Sequence, residues 1–210
     1  KGYAEAILDG TIPKEKQDHY LNIVVTEADR LNKLTRSLLT LNTFDDKGSL
    51  IEPVVFDINE MIKTTLATLE VICGEKNISF SFTVDEPEQL VYADHDKIQQ
   101  VFYNLIDNAV KYTPQGSDIL ITVTERSGMA HISVADNGPG VPDDAKDKVF
   151  EMFYTGAAHA SDGRRSLGLG LCLCRSIVNA HGGTISVRDN IPTGAVFEFT
   201  LPSEEVSIHE

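Results

Sequence analysis

In the stretch DKIQQVFYNLIDNAVKYT, residues 96–113, the apolar residues Ile98, Val101, Leu105 and Ala109 recur at steps of three and four. That spacing predicts a helix with a single apolar stripe, and Asp94 stands where a capping side chain belongs. A longer helical pattern lies near the start of the chain. Leu21, Val24, Ala28, Leu31, Thr35 and Leu38 trace a heptad seam that runs to about Leu41, and Leu34 and Leu41 widen it into a bundle-like face. Ahead of it, residues 1–8 read as the tail of a helix that began earlier, stopped by Asp9-Gly10 and restarted at Ile12-Pro13. Asp57 and Glu60 open a further helix that reaches about Cys73, in the pattern of a capping box with Asp in place of Ser or Thr.

Elsewhere the period changes to two. Ile78, Phe80, Phe82 and Val84 alternate with Ser79, Ser81 and Thr83, as in a half-buried strand. Residues 53–56 and 90–93 predict two short strands. Residues 119–123 and 131–135 predict a pair joined through Ser127-Gly128, and residues 184–187 and 195–201 a closing pair around Thr193-Gly194. After Gly168 a helical run places Leu171, Ile177 and Val178 in the core. The expected fold class is α/β: a two-layer α/β sandwich, with a mixed sheet and helices on one face, preceded by a partial helical hairpin. The expected boundaries are 1–45 for the hairpin, 46–52 for a polar, glycine-containing linker, 53–204 for the sandwich and 205–210 for a tail. The acidic stretch after Pro202 is expected to fray.

Composition narrows the function. Hydrophobic residues make up 41% and charged residues 24% of the 210, which suits a packed core rather than disorder. No apolar run is long enough to cross a bilayer and no signal-peptide pattern opens the chain. A formal net charge of -14 argues against nucleic acid as a partner, because phosphates select basic surfaces. Of the three cysteines, Cys172 and Cys174 are two apart on a helical run, poorly placed for a shared metal or a mutual disulfide, and with Cys73 they read as reduced, buried thiols. The six histidines show no metal-ligand spacing.

The candidate chemistry sits on the other face of the first helix. Asn104, Asn108 and Lys111 form a row there. Carboxamide oxygens are hard ligands that suit Mg²⁺, and an ammonium suits a phosphate; the same row also suits a solvated helix surface. Two glycine-bearing stretches follow. Asp136-Asn137-Gly138-Pro139-Gly140 ends an alternating strand, and Gly168-Leu169-Gly170-Leu171 opens an apolar helix.

In their order these three stretches resemble the N, G1 and G2 boxes of the sensor histidine kinases, and Phe150-Glu151-Met152-Phe153-Tyr154 resembles that family's F box. The wider family includes gyrase, the heat-shock chaperone ATPase and mismatch-repair ATPases. The resemblance implies a Bergerat-type fold that binds ATP with Mg²⁺. It implies that Asn108, with Asn104 one turn earlier, holds the metal, that Lys111 holds a phosphate and that Tyr112 packs on the adenine or ribose. It implies that Asp136 accepts a hydrogen bond from the adenine N6 amine. Gly138 and Gly140 would allow close backbone approach and positive φ at the pocket floor. Gly168, Leu169, Gly170 and Leu171 would bring a helix N-terminus to the phosphates. Residues 154–167, poor in apolar side chains, occupy the place of the family's ATP lid and are expected to order on nucleotide; Arg164 and Arg165 there either reach the triphosphate or lie in solvent. His181-Gly182-Gly183 resembles a helix-ending turn, which makes His181 structural.

The opening segments KGYAEAILDG and EADRLNKLTRSLL resemble the dimerisation and histidine-phosphotransfer hairpin of the same kinases. That implies a second copy as partner and a response regulator receiver domain as the acceptor in a relay. The family's H-E-L-R-x-P-like motif is absent, and His19, in QDHYL, lacks its acidic, Arg and Pro neighbours. The chain therefore reads as a piece cut just downstream of its phosphoacceptor. The expected activity is a protein-histidine kinase that passes the γ-phosphate of Mg-ATP to a histidine upstream of Lys1, in a cytoplasmic portion whose membrane contact lies in segments outside this chain. The alternatives are an ATPase or serine kinase of the same fold, or a dimeric ATP-binding scaffold without turnover. ATP-hydrolysing members of the family carry a glutamate where Asn104 stands; an Asn cannot act as a general base, so the site favours holding ATP for transfer.

Overall fold

A computed structural model describes residues 2–45, 51–73, 76–155 and 168–204 of the chain. The chain divides into two units, Lys1–Asn42 and Thr43–Glu210. In the first unit, helix α1 (Gly2–Leu8) ends at a turn where Gly10 takes a φ of 78°, a left-handed conformation that glycine enters without strain. The Asp9 carboxylate accepts the Thr11 N–H at 2.9 Å. Hydrogen bonds from Thr11 hold that carboxyl below its ordinary pKa. Helix α2 (Lys14–Asp45) begins directly after Pro13 and passes the expected end near Leu41. Tyr3 of α1 packs on Tyr20 of α2 with ring centroids 5.1 Å apart. Along the heptad seam, Leu21 and Leu31 are 45% and 62% exposed on the single chain. The side chains of Leu38 and Leu41, and residues 46–50 of the expected linker, lie outside the described residues.

The second unit is built on a mixed sheet in the order β2-β4-β5-β7-β6, where β2 spans Ser79–Val84, β4 Asp118–Arg126, β5 Met129–Ala135, β6 Ile185–Asp189 and β7 Ala195–Pro202. Strands β2 and β4 run parallel, and the other neighbours antiparallel. The β4–β5 turn is the expected Ser127-Gly128, with φ of 55° and 75°, the pair of positive values that matches the twist of a two-residue hairpin. Alternation decides the two faces. Ile119, Ile121, Ile132, Phe199 and Leu201 are fully buried beneath the helices, while Ser79, Ser81 and Thr83 are exposed on the other side. Helices α3 (Ile58–Cys73), α4 (His95–Tyr112) and α5 (Gly170–Ala180) cover the apolar face.

Three local expectations change. Strands β1 (Val54–Asp57) and β3 (Leu90–Ala93) pair with each other in a separate two-stranded sheet. The expected capping box is half formed: the Asp57 carboxylate accepts the N–H groups of Asn59 and Gln89, each at 3.0 Å, but Glu60 pairs with Lys63 instead of reaching back. The chain after Pro202 does not fray at once. Ser203 N–H donates to Gly128 O, and Glu204 N–H to Leu90 O, so the polar stretch is held by backbone bonds that its composition does not announce. Residues 205–210 lie outside the described residues.

His181 is structural, as its turn suggested. Its buried ring accepts the Asp94 N–H at Nε2 (3.0 Å) and donates from Nδ1 to Ile177 O (2.8 Å), which makes it the neutral Nδ1-protonated tautomer. Asp94 in turn caps α4, accepting the Lys97 N–H at 3.1 Å. The ring thus ties the end of α5 to the start of α4. We expect His181→Ala to lower unfolding stability by about 1–3 kcal/mol, because it strands buried polar groups. A urea midpoint equal to that of the parent protein would contradict this.

Candidate functional site

Helix α4 presents its two faces as the spacing predicts. Ile98, Val101, Leu105 and Ala109 are at most 3% exposed, and Phe102 and Ile106 broaden the buried stripe. Asn104 and Asn108 are half-buried on the other face. Lys111, further along it, is paired with Asp107 one turn back at 2.5 Å, so an arriving phosphate would share its ammonium with that carboxylate. At the end of the helix Lys76 Nζ donates to Val110 O at 2.8 Å, a cation where the helix dipole is negative.

The Tyr112 end of α4 meets the stretch that follows β5. A Cβ on Gly138 would stand 2.8 Å from Tyr112 O and 2.9 Å from Asp136 Oδ1, closer than side chains pack. Gly140, with a φ of 75°, lies close against the Gly194 carbonyl, 3.0 Å from its Cβ position, a less severe approach. The two glycines divide the labour expected of both: close approach at Gly138, and positive φ with close approach at Gly140. Asp136 is 5% exposed. Its Oδ1 accepts the Gly138 N–H at 2.8 Å and the Ala195 N–H at 3.2 Å. Both bonds fall on one oxygen, which leaves Oδ2 with its acceptor capacity. Burial raises the pKa of this carboxyl, against the two N–H bonds, which lower it.

Residues outside the expected site hold this carboxylate in place. Asn190 Nδ2 donates to Asp136 O at 2.8 Å, Thr193 Oγ1 to Gly138 O at 2.9 Å, and Asp136 N–H to Ala195 O at 2.9 Å. Lys146 joins Asp143 and Asp189 at 2.6 and 2.7 Å, tying the segment after Gly140 to the end of β6. The sequence marks only the Thr193-Gly194 turn between the closing strands, which names no partner.

The second glycine pair lies at the Asn104 side of α4. The Cβ position of Gly170 is 3.9 Å from Asn104 Cγ. Leu169, 2% exposed, occupies the N-cap of α5 without a side-chain cap, so the N–H groups of the first turn keep their donors. Leu171 is half-buried rather than core; Cys172, Leu173 and Cys174 fill the core there with Ile177 and Val178. Cys172 and Cys174 are buried thiols outside any disulfide, as expected, whereas the side chain of Cys73 lies outside the described residues. Phe150 is buried edge-on against Phe197. Phe153 takes a left-handed φ of 64° and donates its N–H to Gly168 O at 3.0 Å, which brings the two ends of the 154–167 stretch together. Residues 156–167, with Arg164 and Arg165, lie outside the described residues. Among the described residues no group of three or more His, Cys, Asp or Glu could hold a metal ion.

Residues 93–205 match the family of histidine kinase-, DNA gyrase B- and HSP90-like ATPases. The chain belongs to that family, and the region it matches is the ATP-binding catalytic region of sensor histidine kinases. It is 33% identical to the sensor protein KdpD of Clostridium acetobutylicum over 97% of its own length and 23% of that relative's. The catalytic domain of the histidine kinase ThkA superposes on 72% of the chain, using 95% of that domain, with a TM-score of 0.65 and 35% identity. ThkA in complex with the response regulator protein TrrA matches over 97% of this chain and 56% of that one, with a TM-score of 0.78 and 30% identity. The chain thus spans about a quarter of the curated relative's length.

Proposed function

We propose that the second unit binds Mg-ATP along α4 and supplies its γ-phosphate to a histidine outside residues 1–210, for relay to a response regulator. The observation that carries this is Asp136: a buried carboxylate with one oxygen held by two backbone N–H groups and the other open, beside a glycine floor. Such an acceptor selects the amine of adenine over the carbonyl that guanine carries there. The α5 N-terminus and Lys111 supply local positive potential in a chain of net charge -14. With no acidic cage among the described residues, Mg²⁺ would arrive with the nucleotide and be held by Asn108, with Asn104 beside it, neutralising charge on the phosphates. Asn104 gives no general base for water, which favours transfer over hydrolysis.

The exposed Leu21 and Leu31 seam supports association with a second copy through the hairpin. The TrrA complex of ThkA supports a receiver domain as partner. No helix among the described residues is long and apolar enough to cross a membrane, which accords with a cytoplasmic portion. The test is incubation with γ-labelled ATP and Mg²⁺, alongside titration with a non-hydrolysable analogue. The expected result is saturable analogue binding and no acid-labile label on this chain. Absence of binding, or label on His19, would sink the proposal.

A further inference from the structure

We propose that Thr193 and Asn190 are positioning residues for base selection: from the loop between β6 and β7 they fix the main chain that aims the Asp136 carboxylate, and so sharpen the choice of adenine over guanine. This rests on the Mg-ATP reading above. The loop, residues 190–194, closes on itself, with the Asn190 N–H donating to Gly194 O at 3.0 Å. Its two side chains thereby reach the 136–138 turn together. Asn190 Nδ2 donates to Asp136 O at 2.8 Å and to Asn137 Oδ1 at 3.4 Å, while its Oδ1 accepts the Ile191 N–H at 3.0 Å. That backbone donor decides which end of the carboxamide is oxygen. Thr193 Oγ1 donates to Gly138 O at 2.9 Å.

The bonds to Asp136 O and Gly138 O act on peptides, not on the carboxylate. Asp136 O belongs to the peptide between residues 136 and 137, and Gly138 O to the one between 138 and 139. The peptide between these two carries the Gly138 N–H, which Asp136 Oδ1 accepts at 2.8 Å. It is thus held from both sides. Gly138 has no side chain to restrict its backbone. Pro139 has no N–H, so the carbonyl is the only hydrogen-bonding group of the 138–139 peptide. Thr193 takes it. Without that bond only packing restrains rotation at Gly138, and the N–H that anchors Oδ1 is on the same residue. A carboxylate so anchored cannot swing away from the base. Adenine offers it an N–H donor; guanine offers a carbonyl oxygen in the same place, which the open Oδ2 repels. Specificity is the difference between the two affinities, and a repulsion that cannot relax enlarges it. Loosening the anchor therefore harms discrimination more than it harms adenine affinity.

The experiment measures the ratio of ADP to GDP affinity, without metal, in the parent, Thr193→Val, Thr193→Ser, Asn190→Asp and Asp136→Asn. Valine keeps the shape of threonine without its hydroxyl, and serine keeps the hydroxyl. Asn190→Asp keeps the acceptor for the Ile191 N–H and removes the donor to Asp136 O. The ratio is expected to fall about fivefold in Thr193→Val and in Asn190→Asp, as for the loss of one hydrogen bond, and to return close to the parental value in Thr193→Ser. The affinity that Mg²⁺ adds should not change in these three, because Asn104 and Asn108 are untouched. A residue that merely supports the fold would weaken ADP and GDP alike and leave the ratio parental. That result in either variant, or Thr193→Ser as unselective as valine, overturns the inference. If Asp136→Asn loses the preference for ADP while Thr193→Val and Asn190→Asp keep it, the inference alone fails. If Asp136→Asn keeps the preference, the assignment of Asp136 to the base fails and the inference with it. Should the Thr193 and Asn190 variants not fold, the parent protein decides. Its Gly138 amide should exchange slowly with deuterium in the absence of nucleotide, and fast exchange overturns the inference.

Discussion

Gly194→Ala is expected to lose about 2–4 kcal/mol of folding stability, by forcing both a left-handed backbone and a collision with main chain. Gly194 holds a φ of 113°, and a Cβ there would stand 1.9 Å from Asp136 O, 2.7 Å from Asp136 C and 3.0 Å from Asn137 Cα. No flexible side chain is available to swing aside. The two strands of backbone cannot separate cheaply either, because Asp136 N–H donates to Ala195 O and Asn190 bonds Asp136 O. The wall that the methyl group strikes is the residue that would read adenine, so nucleotide affinity should fall together with stability. Gly116→Ala is the control. Gly116 also has a positive φ, 79°, but nothing lies within 4 Å of its Cβ position. It should show only the conformational cost, about 1–2 kcal/mol. Equal urea midpoints for the two variants would mean that the close approach to Asp136 contributes nothing.

Asp136→Asn should separate binding from folding. Asparagine keeps an oxygen for the Gly138 and Ala195 N–H groups but turns an amine toward the amine of adenine. Nucleotide binding is expected to weaken by about 1–3 kcal/mol, the range for an unpaired buried polar group, with or without metal. Asn108→Asp alters the proposed metal ligand, so its effect should appear only with Mg²⁺; equal metal dependence in both variants contradicts this division. Stability should move the other way. Burial raises the pKa of Asp136 in the fold, so in the interval between its ordinary value and the raised one the folded protein binds more protons than the unfolded. The stability contributed by this group is therefore complete below the ordinary carboxylate pKa and declines as pH rises through the raised value. Above that interval the ionised carboxylate burdens the nucleotide-free fold. Asp136→Asn removes the burden, and its thermal midpoint at neutral pH should equal or exceed that of the parent. A clear fall in the midpoint would show that the carboxylate supports the fold rather than the ligand.

Much of the arrangement could be read along the chain because it is local. The two faces of α4 follow from a period of 3.6, which needs no partner to be visible. The Asp94 cap acts three residues ahead, and the Ser127-Gly128 turn carries its own φ preference. In their order Asn104, Asn108, Asp136, Gly138, Gly140, Gly168 and Gly170 resemble the boxes of a nucleotide-binding family, and that resemblance is visible without any contact. Where local reading failed, another partner won, in one case a turn away and in the others across the fold. Glu60 took Lys63 one turn on, and Ser203 and Glu204 found Gly128 and Leu90 far along the chain.

By itself the sequence determined which segments become helices and strands, which face of each is apolar, and which glycines permit unusual backbone. Only the tertiary structure decided what those glycines approach: Tyr112 O for Gly138, and the Asp136 carbonyl for Gly194. It alone joined His181 to Asp94, Asn190 to Asp136 and Cys174 to Val101. The reason is physical. Periodicity and capping are written in neighbouring residues, because the backbone bonds that reward them close within one or two turns. A hydrogen bond between residues far apart in the chain leaves no periodic trace, and it forms only after the sheet and helices have packed and removed water from both partners.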